Sequence, residues 1–110
     1  MIARAAIAAL VLGGAATAAS AQLSAQARSG QQKAQACAVC HGQAGISNAP
    51  DAPHLAGQPP IYLVQQLRAY RSAQRRHEVM NVIARPLSDQ DIDDLAAWYS
   101  AIRIEATAPN

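Results

Sequence analysis

The stretch Cys37-Ala38-Val39-Cys40-His41 decides how the chain is read. C-x-x-C-H is the attachment pattern of c-type haem. Two thiols one helical turn apart can each add to a vinyl group on one porphyrin edge. The adjacent histidine then falls beneath the iron as proximal ligand. Cys37 and Cys40 are the only cysteines in the sequence. Three positions apart, they close too short a loop for a disulfide to stabilise much. Two other chemistries use such a pair. A thioredoxin-type redox couple wants a βαβ context, and no strand pattern is present. A zinc site needs a fourth ligand, for which His54 or His77 is available, but structural zinc normally takes close-spaced pairs on both sides.

Outward from the motif, Ala25–Val39 is rich in alanine and glutamine and reads as one helix ending at or near the cysteines. From His41 to Pro60 glycine and proline recur, so this is a loop. A loop that long in a compact domain has a function or wraps something. Pro59-Pro60 opens a second helix, carrying Ile61, Leu63, Val64, Leu67 and Tyr70 at helical spacing to about Ser72. Ala73–Pro86 reads as a second loop. Ser88-Asp89-Gln90-Asp91 has the form of a capping box. The helix it starts places Ile92, Leu95, Ala96, Tyr99 and Ile102 on one face. The expected architecture is all-α: three main helices and two long loops.

The sequence has 110 residues, a formal net charge of +2, a charged fraction of 15% and a hydrophobic fraction of 51%. This allows one domain, excludes barrels and doubly wound sheets, and excludes a disordered chain. The charge is too small to argue for nucleic acid. Met1–Arg4, the uncharged run Ala5–Ala19 and the Ala19-Ser20-Ala21 site read as a cleaved secretory signal peptide, residues 1–21. That run is too short and alanine-rich for a spanning helix. The expected domain is residues 22–110, in the periplasm, with no transmembrane span. It holds few large apolar residues and no phenylalanine. Domains of this size are marginal unless stapled. A large apolar cofactor would supply the missing core, and one covalent haem meets that need.

Beyond the leader Met80 is the only methionine. Its thioether suits haem iron, and His/Met ligation raises the reduction potential. The alternative role is a gap-filling core side chain. His77, three residues away, and His54 are the rival ligands. Arg68, Arg71, Arg75 and Arg76 form a charge cluster. It is either a solvated helix face, or a place where Arg75 approaches a haem propionate while the others make a docking patch for an acidic partner.

With these residues in hand, the chain resembles small bacterial class I cytochromes c, close to the repeat unit of the high-potential di-haem cytochromes. The resemblance is carried by Gly30–Gly42, Pro53-His54-Leu55-Ala56-Gly57-Gln58, Tyr62–Leu67, Arg75, Met80 and Leu87–Ile92. It implies the cytochrome c fold wrapped around one covalently bound haem. It also implies His41 and Met80 as iron ligands, and Pro53 as the residue whose carbonyl accepts a hydrogen bond from His41. Gly30 would lie where the first and last helices cross, near Trp98 or Tyr99. Ala73 stands where the pattern has a glycine. The implied function is electron transfer without catalysis, as a free carrier or as the cytochrome subunit of a respiratory dehydrogenase or oxidase. Its partners would be a donor dehydrogenase or respiratory complex and an acceptor oxidase or reductase. The competing function is a haem-based gas sensor or haem enzyme with a labile sixth ligand.

Overall fold

The computed structural model describes residues 22–110; the expected leader, residues 1–21, lies outside the described residues. Five helices follow one another: α1 (Ala25–Lys33), α2 (Gln35–His41), α3 (Pro60–Arg71), α4 (Glu78–Ala84) and α5 (Asp89–Ala101). No strand occurs among the described residues.

Two departures from the sequence reading stand out. The first expected helix is two helices, hinged at Ala34. There the Cys37 N–H takes Ala34 O, three residues back, at 3.0 Å. Ala34 is buried against Leu63, Leu95, Ala96 and Tyr99, so packing sets the break and nothing in the local sequence marks it. The second helix then runs to His41 and ends at Gly42, whose φ of +82° is left-handed. The expected loop Ala73–Pro86 contains α4, whose N-cap is the imidazole of His77: its Nδ1 accepts from the N–H groups of Val79 and Met80. Histidine is not among the usual caps, and Val79, Val82 and Ile83 are indifferent helix formers.

The last helix starts as expected. Ser88 Oγ accepts from the Asp91 N–H at 3.0 Å, and the Asp91 carboxylate accepts from the Ser88 N–H at 2.9 Å. α1 crosses α5 at Gly30, where a Cβ would stand 1.9 Å from the Asp94 carbonyl oxygen and 2.9 Å from Trp98 Cβ. Trp98, not Tyr99, is therefore the neighbour at the crossing. The same junction carries a polar cluster. The buried Asp94 carboxylate accepts from Ser29 Oγ, Lys33 Nζ and Gln90 Nε2, each at 2.7 Å. Lys33 also reaches Asp91 at 2.9 Å.

Ile92 and Leu95 are the largest fully buried side chains, a thin core for a domain of this length. Ala73, in the turn after α3, has a φ of +64°. The turn keeps its left-handed conformation without glycine, at a cost of about 1–2 kcal/mol. The arginines do not form one free patch. Arg71 donates to Leu87 O and Asp89, and Arg68 lies 3.8 Å from the same carboxylate. These contacts tie the end of α3 to the start of α5.

Candidate functional site

Helices α2 to α5 and the 42–59 loop surround a cavity of about 410 Å³, within the usual 300–1,000 Å³ of cofactor pockets. Cys37, Cys40 and His41 enter it from α2. Pro53 and His54 come from the loop, Tyr62, Leu63 and Tyr70 from α3, Met80 and Ile83 from α4, and Leu95 and Tyr99 from α5. Arg75 stands at the same cavity. Every site residue expected from the sequence therefore lines one space.

The loop is held so that it can face α2. Leu55 and Ala56 N–H groups both reach Gly45 O, Gly57 N–H reaches Tyr99 O at 2.9 Å, and Ser47 Oγ donates to Cys40 O at 2.9 Å. This brings the Pro53 carbonyl to 2.8 Å from His41 Nδ1. A carbonyl oxygen only accepts, so Nδ1 carries the proton. Nε2 is then the unprotonated nitrogen, with its lone pair free for a metal. His41 is 7% exposed, and its ring is fixed in place.

The residues fit a c-type haem on the chemistry of their donor set. Two unpaired thiols stand one turn apart, Cys37 half-buried and Cys40 exposed. Beside them are a buried imidazole of defined tautomer and a thioether, in a cavity whose walls are mostly apolar. Burial pushes the Cys37 thiol up, partly offset by the neighbouring Tyr99 hydroxyl. Among the described residues no three His, Cys, Asp or Glu side chains are grouped to hold a metal ion, so the zinc alternative lacks its ligands.

Of the rival histidines, His77 is spent on the α4 cap and does not line the cavity. His54 does line it, but its Nδ1 takes the Ser47 N–H at 2.9 Å. Arg75 donates to Gln66 Oε1 at 2.7 Å, and its guanidinium lies 4.7 Å over the Tyr70 ring. Its charge has no carboxylate partner among the ion pairs of the described residues.

Two contributors escaped the sequence reading. Asn81 stitches α4 to the preceding turn. Its Nδ2 donates to Tyr70 O and Arg75 O, both at 2.8 Å, and its Oδ1 accepts from His77 N–H at 2.8 Å. A polar residue beside Met80 was the one available signal. Tyr99 was expected on the apolar face of the last helix; what escaped is its hydroxyl, buried with no hydrogen-bond partner.

Comparison with known proteins gives the family. The family model described as Cytochrome c matches residues 27–101. Cytochrome c-554(548) of Halomonas halodenitrificans is 42% identical over 78 residues, covering 68% of this chain and 94% of the relative. A thiosulfate dehydrogenase electron acceptor of Thiomonas intermedia is 40% identical over 72 residues, covering 64% of this chain and 33% of the relative. The crystal structure of reduced recombinant cytochrome c4 from Pseudomonas stutzeri superposes with a TM-score of 0.67 at 38% identity, covering 70% of this chain and 45% of that one. The chain thus spans nearly all of one relative and less than half of the other two. Family and relatives together support electron transfer. No helix among the described residues is long and apolar enough to cross a membrane. With the family model matched from the first turn of α1 to the last residue of α5, the chain belongs to the cytochrome c family, and its cofactor is haem c, covalently bound with its iron.

Proposed function

We propose that the chain is a periplasmic one-electron carrier with His41 and Met80 as axial iron ligands and Cys37 and Cys40 as the thioether anchors. The supporting observation is the convergence of these four side chains, from α2 and α4, on one cavity. When bound, the haem supplies a one-electron ferric–ferrous couple.

The chain's own residues hold it. The bond from His41 Nδ1 to Pro53 fixes the proximal ring and raises its basicity as a ligand. The Met80 thioether, a soft neutral donor, favours the reduced state. Arg75, at the cavity and without a carboxylate, is suited to a propionate through its planar fork. Gln66 and Tyr70 already hold that fork in place. The electron would be exchanged with a redox partner protein. That partner would be a donor dehydrogenase or respiratory complex, or an acceptor oxidase or reductase. The relative named as a thiosulfate dehydrogenase electron acceptor supports this class.

Met80→Ala tests the reading. A carrier keeps both ligands through its redox cycle. The variant should therefore lose the sulfur-to-iron charge-transfer band, lower the reduction potential and bind carbon monoxide when reduced. The fold should survive, because the thioethers and His41 remain. An unchanged spectrum and potential would make Met80 a packed side chain. Ready carbon monoxide binding by the unaltered protein would favour the gas-sensor or haem-enzyme function instead.

A further inference from the structure

Tyr99 is held from three sides. Its residue is 3% exposed. Gly45 presses on the ring, so that a Cβ there would stand 2.9 Å from Cδ1 and 3.0 Å from Cε1. Its own carbonyl accepts the Gly57 N–H at 2.9 Å. The ring cannot turn away, and it lines the cavity. The hydroxyl nevertheless has no hydrogen-bond partner. A buried polar group left so costs about 1–3 kcal/mol, and one in a cofactor cavity calls for a partner that belongs to the loaded site. Cys37 packs against the cluster that holds Tyr99 and lines the same cavity, and burial, with the Cys37 side chain, holds the phenol above its ordinary range.

As a free thiol, Cys37 can donate or accept. Addition of that thiol across a vinyl C=C forms the S–C bond and places the hydrogen on the neighbouring carbon. The sulfur is left with lone pairs only. A phenol O–H beside it is then the sole donor of the pair. We infer that Tyr99 is a positioning residue for the cofactor, its hydroxyl donating to Sγ of Cys37 in the attached state and holding that thioether in one orientation. The inference rests on Cys37 being a thioether anchor. A donor at this sulfur draws electron density from the linkage, which favours the reduced state.

The test uses the loaded protein and Tyr99→Phe, which keeps the ring and removes the oxygen. In the reduced, diamagnetic protein the Tyr99 hydroxyl proton should exchange slowly and show a dipolar contact to the Cys37 β-protons. In Tyr99→Phe the C–S stretch of the Cys37 linkage should shift in the resonance Raman spectrum while that of Cys40 stays. The ferric–ferrous equilibrium should move about two- to threefold toward ferric, the scale of one weak hydrogen bond. A folded variant with both linkages and the equilibrium unchanged overturns the inference, as does a rapidly exchanging hydroxyl. If the variant does not fold, the hydroxyl proton of the unaltered protein decides alone. Acid-acetone extraction separates the two levels: haem lost overturns the anchor reading and this inference with it. Haem retained with the Cys37 stretch and the equilibrium both unchanged overturns this inference only.

Discussion

Replacing Gly30 by alanine sets two effects of opposite sign against each other, and the crossing of α1 and α5 says which wins. Alanine in a helix interior is favoured over glycine by about 1 kcal/mol. Here the new methyl would stand 1.9 Å from the Asp94 carbonyl oxygen, 2.5 Å from its carbon and 2.9 Å from Trp98 Cβ. Two of these atoms are backbone and cannot swing aside. Reaching an ordinary contact of about 3.5 Å needs the helices to part by about 1.5 Å. Overpacking of this kind costs about 3 kcal/mol or more when the backbone must move. The parting also stretches the Ser29 and Lys33 bonds to Asp94. The net expectation is a loss of about 2 kcal/mol, or about 8–16 °C in Tm for a domain of this size. Thermal unfolding of the loaded protein, followed by far-ultraviolet dichroism and haem absorbance, measures it. Gln31→Ala, on an exposed position of the same helix, is the control and should shift stability by less than about 0.5 kcal/mol. A Gly30→Ala protein as stable as the parent, or more so, would refute the argument, because helix propensity would then have outweighed the contact.

Two further outcomes are expected. The Lys33 ammonium, with the Ser88 cap bonds, pulls Asp91 down to about 2, and Lys33, Ser29 and Gln90 hold Asp94 well below the carboxylate range. Both sit below their unfolded values near 3.9, so their stabilisation is complete above about pH 4 and drains away as pH falls toward 2. Acid titration of stability should show that limb, and Lys33→Met should flatten it. The chain carrying Cys37→Ala, Cys40→Ala and His41→Ala should lack a cooperative thermal transition, since few large side chains, chiefly Leu63, Ile92, Leu95 and Tyr99, are buried among the described residues; native-like cooperative unfolding would show that the haem is not the missing core.

What the sequence made legible follows from where each signal resides. Ser88 and Asp91 announce α5 because both halves of the capping box are local, and Pro59-Pro60 announces α3 for the same reason. The break at Ala34 is set by Leu63, Leu95 and Tyr99, all distant in sequence, so an alanine–glutamine run gives no hint of it. α4 was hidden by an unusual cap and β-branched residues. Within the site, the thiols and His41 are spelled out by spacing. Pro53 was reachable only through resemblance to a family, because a backbone carbonyl leaves no mark in the side chain. Tyr99 looked like any core aromatic. Its hydroxyl becomes informative only when its surroundings show that nothing meets it.

The helix that carries Met80 packs on α3 alone among the other helices, and Asn81 is its chief tether. α1 and α5, by contrast, share the closest and most extensive junction in the domain. Elements with few buried contacts open at a lower free energy than the whole, as cooperative units of their own. One wall of the pocket is thus joined to the rest by α3, the buried Ala84 and one amide side chain, while the opposite end is riveted. Under mild denaturant the amides of Val79–Ala84 should be first to take up deuterium, with those around Gly30 and Leu95 last. Met80, the sixth ligand we propose, thereby lies in the part of the molecule that can be released and regained without dismantling the rest.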